Sequence, residues 1–344
     1  MPPKAREPPL SSHAGFSPHW KYWPRPADAV RYRIENCRAK TFDQGEQSVT
    51  MTMDKYLAPE APVFAPRVAV YLPAVALRGY VTFYYFVTVA EALDDFLYPE
   101  WGNVRFALAG DWRLELDGYG PEPQVDVLYG PTDRCGRLTT VGAGRVVGFG
   151  MTPLGWRRLI GTDADLMANR VRTLADELGQ PGPELRAAFA ADAADAPGVA
   201  RFDALLTDLV ARRPPEPPAL IALDRVLRTR PADVPRFAAA AGVSIRTLHR
   251  LCLRLFGFAP KRLLRRQRFL DTLGQVRTAV GDPVRDALDE AYFDQAHFYR
   301  DFRDFMGMSP RAYFTASRAL MARAAAAQAA AGVTLSFKLP PASV

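Results

Sequence analysis

Apolar and polar positions along this chain change period as it runs. From residue 46 to about 160 the apolar residues come in short β-branched and aromatic runs. "RGYVTFYYFVTV" (Arg78–Val89) is followed by "VRFALAG", "DWRLELDG", "VDVLYG" and "GRVVGFG", each punctuated by Gly, Pro or Asp. Such runs predict the strands of an antiparallel sandwich or barrel. At "GTDADLMANRVRTLADELGQPG" the period becomes helical. Thr162 or Asp163 can cap a helix there, Leu166, Val171, Leu174 and Leu178 approximate one face, and Gly179 stops it. "GPELRAAFAADA" and "VARFDALLTDLVARR" predict two further helices, and the four prolines of "RRPPEPPA" predict a linker. Residues 1–45 are rich in Pro and charge without a period, which predicts a disordered arm. The expected organisation is therefore an arm (1–45), a regulatory region (46–213, strands over 46–160 and helices over 161–213), a helical domain (214–318) and an Ala-rich tail (319–344).

The helical domain repeats itself at an offset of 50. "LFGFAPKRLL" (Leu255–Leu264) is answered by "FMGMSPRAYF" (Phe305–Phe314): Gly257 by Gly307, Pro260 by Pro310, Arg250 by Arg300, Leu248 by Phe298, Ser244 by Asp294. Two copies are too few for a solenoid and read as paired modules. In the first, Asp233 caps a short helix with Pro235 in its first turn. Ala238 and Gly242 let a second helix cross closely, and Ser244 caps that helix. Leu248, Leu251, Cys252 and Leu255 recur at helical spacing and predict its core face, while Arg246, His249 and Arg250 face away. In the second copy Asp282 and Pro283 open the unit, Ala287 and Ala291 are its small residues, and Asp294 caps. Phe298, Phe302 and Phe305 face inward, with Gln295, His297 and Arg300 outward. Each copy predicts a helix-turn-helix.

Charge sharpens this picture. Residues 219–318 hold 18 Lys or Arg against 10 Asp or Glu, a net +8, whereas the remainder holds 26 against 27. Positive charge confined to the repeat is the footprint of a partner carrying phosphates, double-stranded DNA above all. Arg, Gln and His on the outer faces can donate to base edges in the major groove.

Other chemistry is sparse. The histidines are His13, His19, His249 and His297, none among the strands, so no metal site is expected there. No HExxH, phosphate-binding Gly loop or GxSxG occurs, and no cofactor is expected. Cys37, Cys135 and Cys252 are odd in number and scattered, which suits free thiols in a reducing cytoplasm. No apolar run reaches membrane-spanning length, and "MPPKAREPPL" lacks the apolar core of a secretory signal. Cys135, beside Arg134 and Arg137, is a candidate low-pKa thiol. Tyr80, Tyr84, Trp101 and Trp112, with Arg105 and Arg113, either line a pocket for an apolar or acidic effector or are ordinary β packing.

"AAAAGVSIRTLHRLCLRLFGFAPKRLLRRQRF" and "ALDEAYFDQAHFYRDFRDFMGMSPRAYF" resemble the DNA-binding domain of AraC/XylS bacterial transcription regulators, over residues 219–318. The resemblance implies base reading by Arg246, His249 and Arg250 from one helix and Gln295, His297 and Arg300 from the other. Backbone contacts are expected from Ser244, Thr247, Lys261, Arg303 and Arg311. Cys252 departs from the aromatic usual at its position, and Ala291-Tyr292 from the usual Gly-Phe. "RGYVTFYYFV", "PEWGNVRFALAGDW" and "MTPLGWRRLIG" resemble the family's regulatory halves more loosely. The implied fold is α+β: an antiparallel cupin-like barrel with following helices, then an all-α double helix-turn-helix domain. The implied protein is a cytoplasmic homodimeric regulator, not an enzyme, contacting RNA polymerase if it activates. The competing readings are a DNA-repair alkyltransferase, which would need an activated cysteine, and a nonspecific architectural DNA binder.

Overall fold

The computed structural model describes residues 65–116, 118–178, 181–190, 196–278, 292, 295–316 and 318–333. The expected arm, residues Asp282, Pro283, Ala287, Ala291 and Asp294, and the end of the tail lie outside them. The described residues all fall within one compact unit, Pro59–Val344.

The β region consists of ten strands: β1 (Arg67–Tyr71), β2 (Val81–Val89), β3 (Leu93–Leu97), β4 (Asn103–Ala109), β5 (Trp112–Leu116), β6 (Tyr119–Pro123), β7 (Asp126–Tyr129), β8 (Gly136–Thr140), β9 (Gly144–Met151) and β10 (Val171–Thr173). They form a six-stranded sheet, β1-β2-β9-β4-β7-β10, and a four-stranded sheet, β3-β8-β5-β6. Every pairing is antiparallel, as expected, and the two ladders do not join into one cylinder among the described residues.

The long apolar run of β2 arises because both of its faces are covered. Phe83, Tyr85, Val87 and Val89 pack between the sheets with Trp112, Leu114 and Leu138. Tyr84 and Phe86 belong to the opposite core, with Phe189 and Phe202. Those two phenylalanines come from α3 (Pro181–Ala190) and α4 (Ala196–Ala211), and their rings stack 3.7 Å apart. The apolar faces of both helices are thus spent on the protein's own sheet.

The single helix expected from Asp163 to Leu178 is not formed. A short α1 (Pro153–Gly155) leads through one wide turn to Gly161, followed by a tight turn over Ala164–Leu166. Asn169 sits at φ 56°, and the chain then enters β10 before a five-residue α2 (Leu174–Leu178). The sheet edge outcompetes the helical pattern: Val171–Thr173 pair with Val127–Tyr129. Asn169 locks the turn by accepting from the Asp133 N–H (2.9 Å) and donating to its carboxylate (2.7 Å).

The proline-rich segment is clamped. Glu216 is buried and accepts from Nε and Nη2 of Arg158 at 2.5 and 2.7 Å. Among the described residues seven further helices follow: α5 (Pro218–Arg228), α6 (Val234–Ala240), α7 (Ile245–Phe256), α8 (Pro260–Thr278), α9 (Gln295–Met306), α10 (Pro310–Thr315) and α11 (Ala319–Ala330). α11, in the expected tail, returns to pack on β1 and β3. No described helix is long and apolar enough to cross a membrane.

Candidate nucleic-acid interface

α6 and α7 form the first helix-turn-helix. Asp233 caps α6 by accepting from the Arg236 N–H (2.7 Å), and Ser244 caps α7 by accepting from the Thr247 N–H (3.2 Å). Phe237, Ala238, Leu248, Leu251, Cys252 and Leu255 are buried in one core. Gly242, at φ 66°, makes the turn. Gly257 ends α7 at φ 82°, where a Cβ would lie 2.8 Å from Pro131 and 3.1 Å from the Ala164 carbonyl. Glycine is needed there for conformation and for closeness.

Arg246, His249 and Arg250 are exposed on α7, as the pattern predicts. Ser244 and Thr247 are engaged with each other as the cap, which also sets the start of the exposed face. On α9, Phe298, Phe302 and Phe305 are fully buried and Arg300 and Arg303 are exposed. The side chain of Gln295 lies outside the described residues. His297 does not project with Arg300: it is half-buried, edge-on to Tyr292 with ring centroids 5.2 Å apart, and 3.5 Å from Arg268. The 50-residue offset explains this, since it pairs His297 with half-buried Thr247. It also pairs Tyr299 with His249 and Ala296 with Arg246. Tyr299 and Ala296 are both exposed on α9, so the second outer face is Ala296, Tyr299, Arg300 and Arg303. Tyr299 is the residue that an eye for Arg, Gln and His passes over.

Much of the basic charge is structural. In "KRLLRRQR" on α8, only Lys261 among the cations is exposed. Arg262 pairs with Asp133 and Asp304, and Arg265 with Asp301 (2.5 Å) and Asp304 (3.0 Å). Arg268 lies 3.4 Å from Asp301. Arg266 is fully buried, donates to the Thr132 carbonyl (2.9 Å) and lies 4.2 Å from the Trp101 ring. Burial pulls its guanidinium down to about 10, so it remains charged at neutral pH. Arg254 of α7 is held by Asp163 at 3.1 Å. Arg246, Arg250, Lys261, Arg300, Arg303 and, on α10, Arg311 are turned to solvent on the two outer faces and the turns beside them, and Arg225 of α5 and Arg236 of α6 are exposed elsewhere.

The six candidate effector residues do not share one pocket, and Arg113 is held by Asp111 at 3.1 Å. Tyr80 lies under Arg158, Tyr84 donates to Asp203 (2.8 Å), and Trp101 packs on Phe256 and Arg266. Arg105 and Trp112 line one cavity, between the sheets, with Val70, Tyr85, Leu138 and Met321, and Arg105 and Trp101 line a smaller neighbouring one. Strand alternation separates the rest: Tyr84 and Tyr85 are neighbours on β2 and face opposite cores. Gly148 makes room for Tyr85, since a Cβ there would stand 2.5 Å from the phenol oxygen. Cys135 is not an activated thiol. Desolvation, and then the field of Asp95, raise it above its ordinary value, while Arg137 is committed to Asp94 at 2.5 and 2.8 Å. Burial raises Cys252 as well.

Residues 237–316 match the family model of a helix-turn-helix domain. No curated protein matches the chain in sequence. Among solved structures, ToxT from Vibrio cholerae O395 is 11% identical, with 72% of this chain and 96% of that one covered at a TM-score of 0.38. The same protein bound to (E)-4-(8-methylnaphthalen-1-yl)but-3-enoic acid gives 10%, 72%, 98% and 0.40. The AraC-like transcriptional activator CuxR gives 14%, 61%, 88% and 0.25. Likeness at these scores says nothing of function. The matched segment covers α7 and α9 with their equivalent arginines, and so the C-terminal region of this chain carries an AraC-type helix-turn-helix domain.

Proposed function

We propose that this chain is a sequence-specific DNA-binding transcription regulator that reads two successive major grooves through α7 and α9. The observation that carries the reading is the equivalence of Arg250 and Arg300: same register in the 50-residue repeat, both exposed, each on a helix over a buried apolar face. Arg246, His249 and Arg250 read one site, and Tyr299 and Arg300 the other, with Lys261, Arg303 and Arg311 on phosphates. Selection of bound sequences from a random DNA pool tests this. The expected result is two conserved blocks about 10 base pairs apart. Selection without sequence preference would instead support an architectural binder.

The cavity between the sheets supports a regulatory role for the β region. Its walls are apolar apart from a few groups, of which Arg105 is the charged donor. Arg105 is buried, donates to two phenols, Tyr85 (3.2 Å) and Tyr129 (2.9 Å), and lies in the field of Glu100. Glu100 also lines the cavity. A hydrophobic acid, with its carboxylate on Arg105, is the effector class that suits these walls. Decanoate binding that is lost in Arg105→Met, against unchanged binding of decanol, is the expected signature.

A further inference from the structure

The two sheets leave a seam. β1 ends the six-stranded sheet and β3 ends the four-stranded sheet, and the two are not bonded to each other. α11 lies across this gap, packed on both. Leu320, Met321, Ala324 and Gln328 present one side of the helix to the cavity that Arg105 lines. What remains open is about 60 Å³, room for about two water molecules and far too little for a hydrophobic acid. The helix itself occupies the space an effector needs.

The hold on α11 is polar and specific. Asp95, fully buried on β3, accepts from the N–H groups of Leu320 (2.8 Å) and Met321 (3.1 Å) and so caps the helix from more than two hundred residues away. Arg318, just before the helix, lies 4.4 Å from the Tyr313 ring. Tyr313 belongs to α10, packs on Phe302 of α9, and bonds through its hydroxyl to Tyr98, just after β3. One strand therefore anchors both the helix over the seam and the last helix of the second helix-turn-helix unit.

We propose that α11 is an intramolecular plug for the effector cavity: helix and effector exclude each other, and the helix's departure reports occupancy to α9 through Arg318 and Tyr313. This rests on the cavity reading above. An effector that enters from the seam must displace Leu320 and Met321. Those residues are continuous with α10, so the displacement pulls on the element that positions Phe302 and, with it, the outer face of α9.

The test uses the full chain with decanoate as probe, read by titration and by hydrogen exchange of the backbone amides in 319–330. Decanoate should accelerate exchange there. Met321→Ser, which weakens the plug, should tighten decanoate binding by about fivefold. Ala324→Leu, which fills the remaining space and strengthens it, should weaken binding by a similar factor. If decanoate binds and Arg105→Met abolishes binding, but exchange in 319–330 is unchanged or slower and both plug variants bind as the parent does, the plug is wrong while the cavity reading stands. If neither the parent nor Met321→Ser binds decanoate, the cavity reading fails and the plug with it.

Discussion

The two helix-turn-helix units are near copies in sequence and unequal in structure. The first buries its core among its own helices α5 to α8, and Trp101 is the one fully sequestered side chain the β region adds to it. Among the described residues, the second shares its core with the β region: Phe269, Phe298, Phe302, Phe305 and Tyr313 are continuous with Tyr98, Trp112 and Leu138. Backbone joins them too, since the Cys135 N–H donates to the Phe305 carbonyl at 2.8 Å. Their outer faces differ as well, with Arg246 and His249 on the first where the second has Ala296 and Tyr299. Neighbours decide what each copy of a repeat is coupled to. The second unit shares a core with the regulatory region, while the first meets it through Trp101, through Gly257 and through the Arg254–Asp163 pair.

The strongest way to break this comparison is to remove one core residue from each unit. Phe305→Ala should cost about 3–5 kcal/mol and Leu248→Ala about 2–5 kcal/mol. The two should differ in reach. Backbone amide exchange in β3 and β8 should quicken in Phe305→Ala and stay near the parent's in Leu248→Ala. Equal perturbation of the β region by both variants would show that the units are coupled alike.

Asp301 gives a smaller effect of the same kind. It is buried on α9, pairs with Arg265, and accepts from Tyr292 at 3.2 Å. Asp301→Ala leaves these donors without their acceptor and should cost about 1.5–3 kcal/mol in urea unfolding. A loss below about 0.5 kcal/mol would mean that solvent and Asp304, which also pairs with Arg265 at 3.0 Å, replace the carboxylate.

How far the sequence reveals these differences depends on the range of the interaction. Caps, turns and buried faces of α6, α7 and α9 are local, and Ser244, Gly257 and Phe298 announce them directly. The strands are legible too, because β-branched and aromatic runs mark them. The failures are all tertiary. Nothing within Ala164–Leu178 tells that β7 offers a free edge, so a helical pattern yields to β10. Nothing local tells that Asp133, Asp301 and Asp304 turn the arginines of α8 inward, or that Asp95 caps a helix at the far end of the chain. Tyr84 faces the core on the far side of β2 from the cavity that Arg105 and Trp112 line, a difference that residue type does not reveal. The misplacement of His297 was avoidable, because the 50-residue offset already aligns it with Thr247 and aligns Tyr299 with His249.

Reading of DNA should separate the units more finely. Arg250→Ala and Arg300→Ala should each lose about 1–3 kcal/mol of discrimination at one base position, the two positions lying about one helical turn apart. Site selection on both variants checks this, and uniform weakening across all sequences would reassign both arginines to phosphates. Below that in size, Tyr299→Phe removes one hydroxyl and should cost about 0.5–1.5 kcal/mol at the second block only. His297→Ala should leave preference unchanged at that block. The reverse outcome would restore His297 as a reader.

The smallest effect concerns two buried carboxylates, one on each side of the comparison. Desolvation raises the pKa of Asp95, against the pull of its N–H donors and of Arg318. Desolvation raises Asp224 as well, against its ion pair with Arg228 at 2.7 Å. A carboxylate raised on folding binds its proton more tightly in the folded state. Its stabilisation is complete below the ordinary carboxylate value near 3.9 and fades as pH rises through the folded value. Ionised Asp95 therefore costs stability at neutral pH, and Asn can accept the same two N–H groups through its carbonyl oxygen without that cost. In Asp95→Asn, the gain over the parent should grow as pH is raised from 4 to 7 in urea unfolding, with slowed amide exchange confined to 319–330. Asp224→Asn should show the same sign, with the exchange effect confined to α5 and its neighbours in the first unit. If Asp95→Asn instead loses stability as pH rises, the ionised carboxylate is a better cap than it is a burden, and the seam is held by charge at the helix N-terminus.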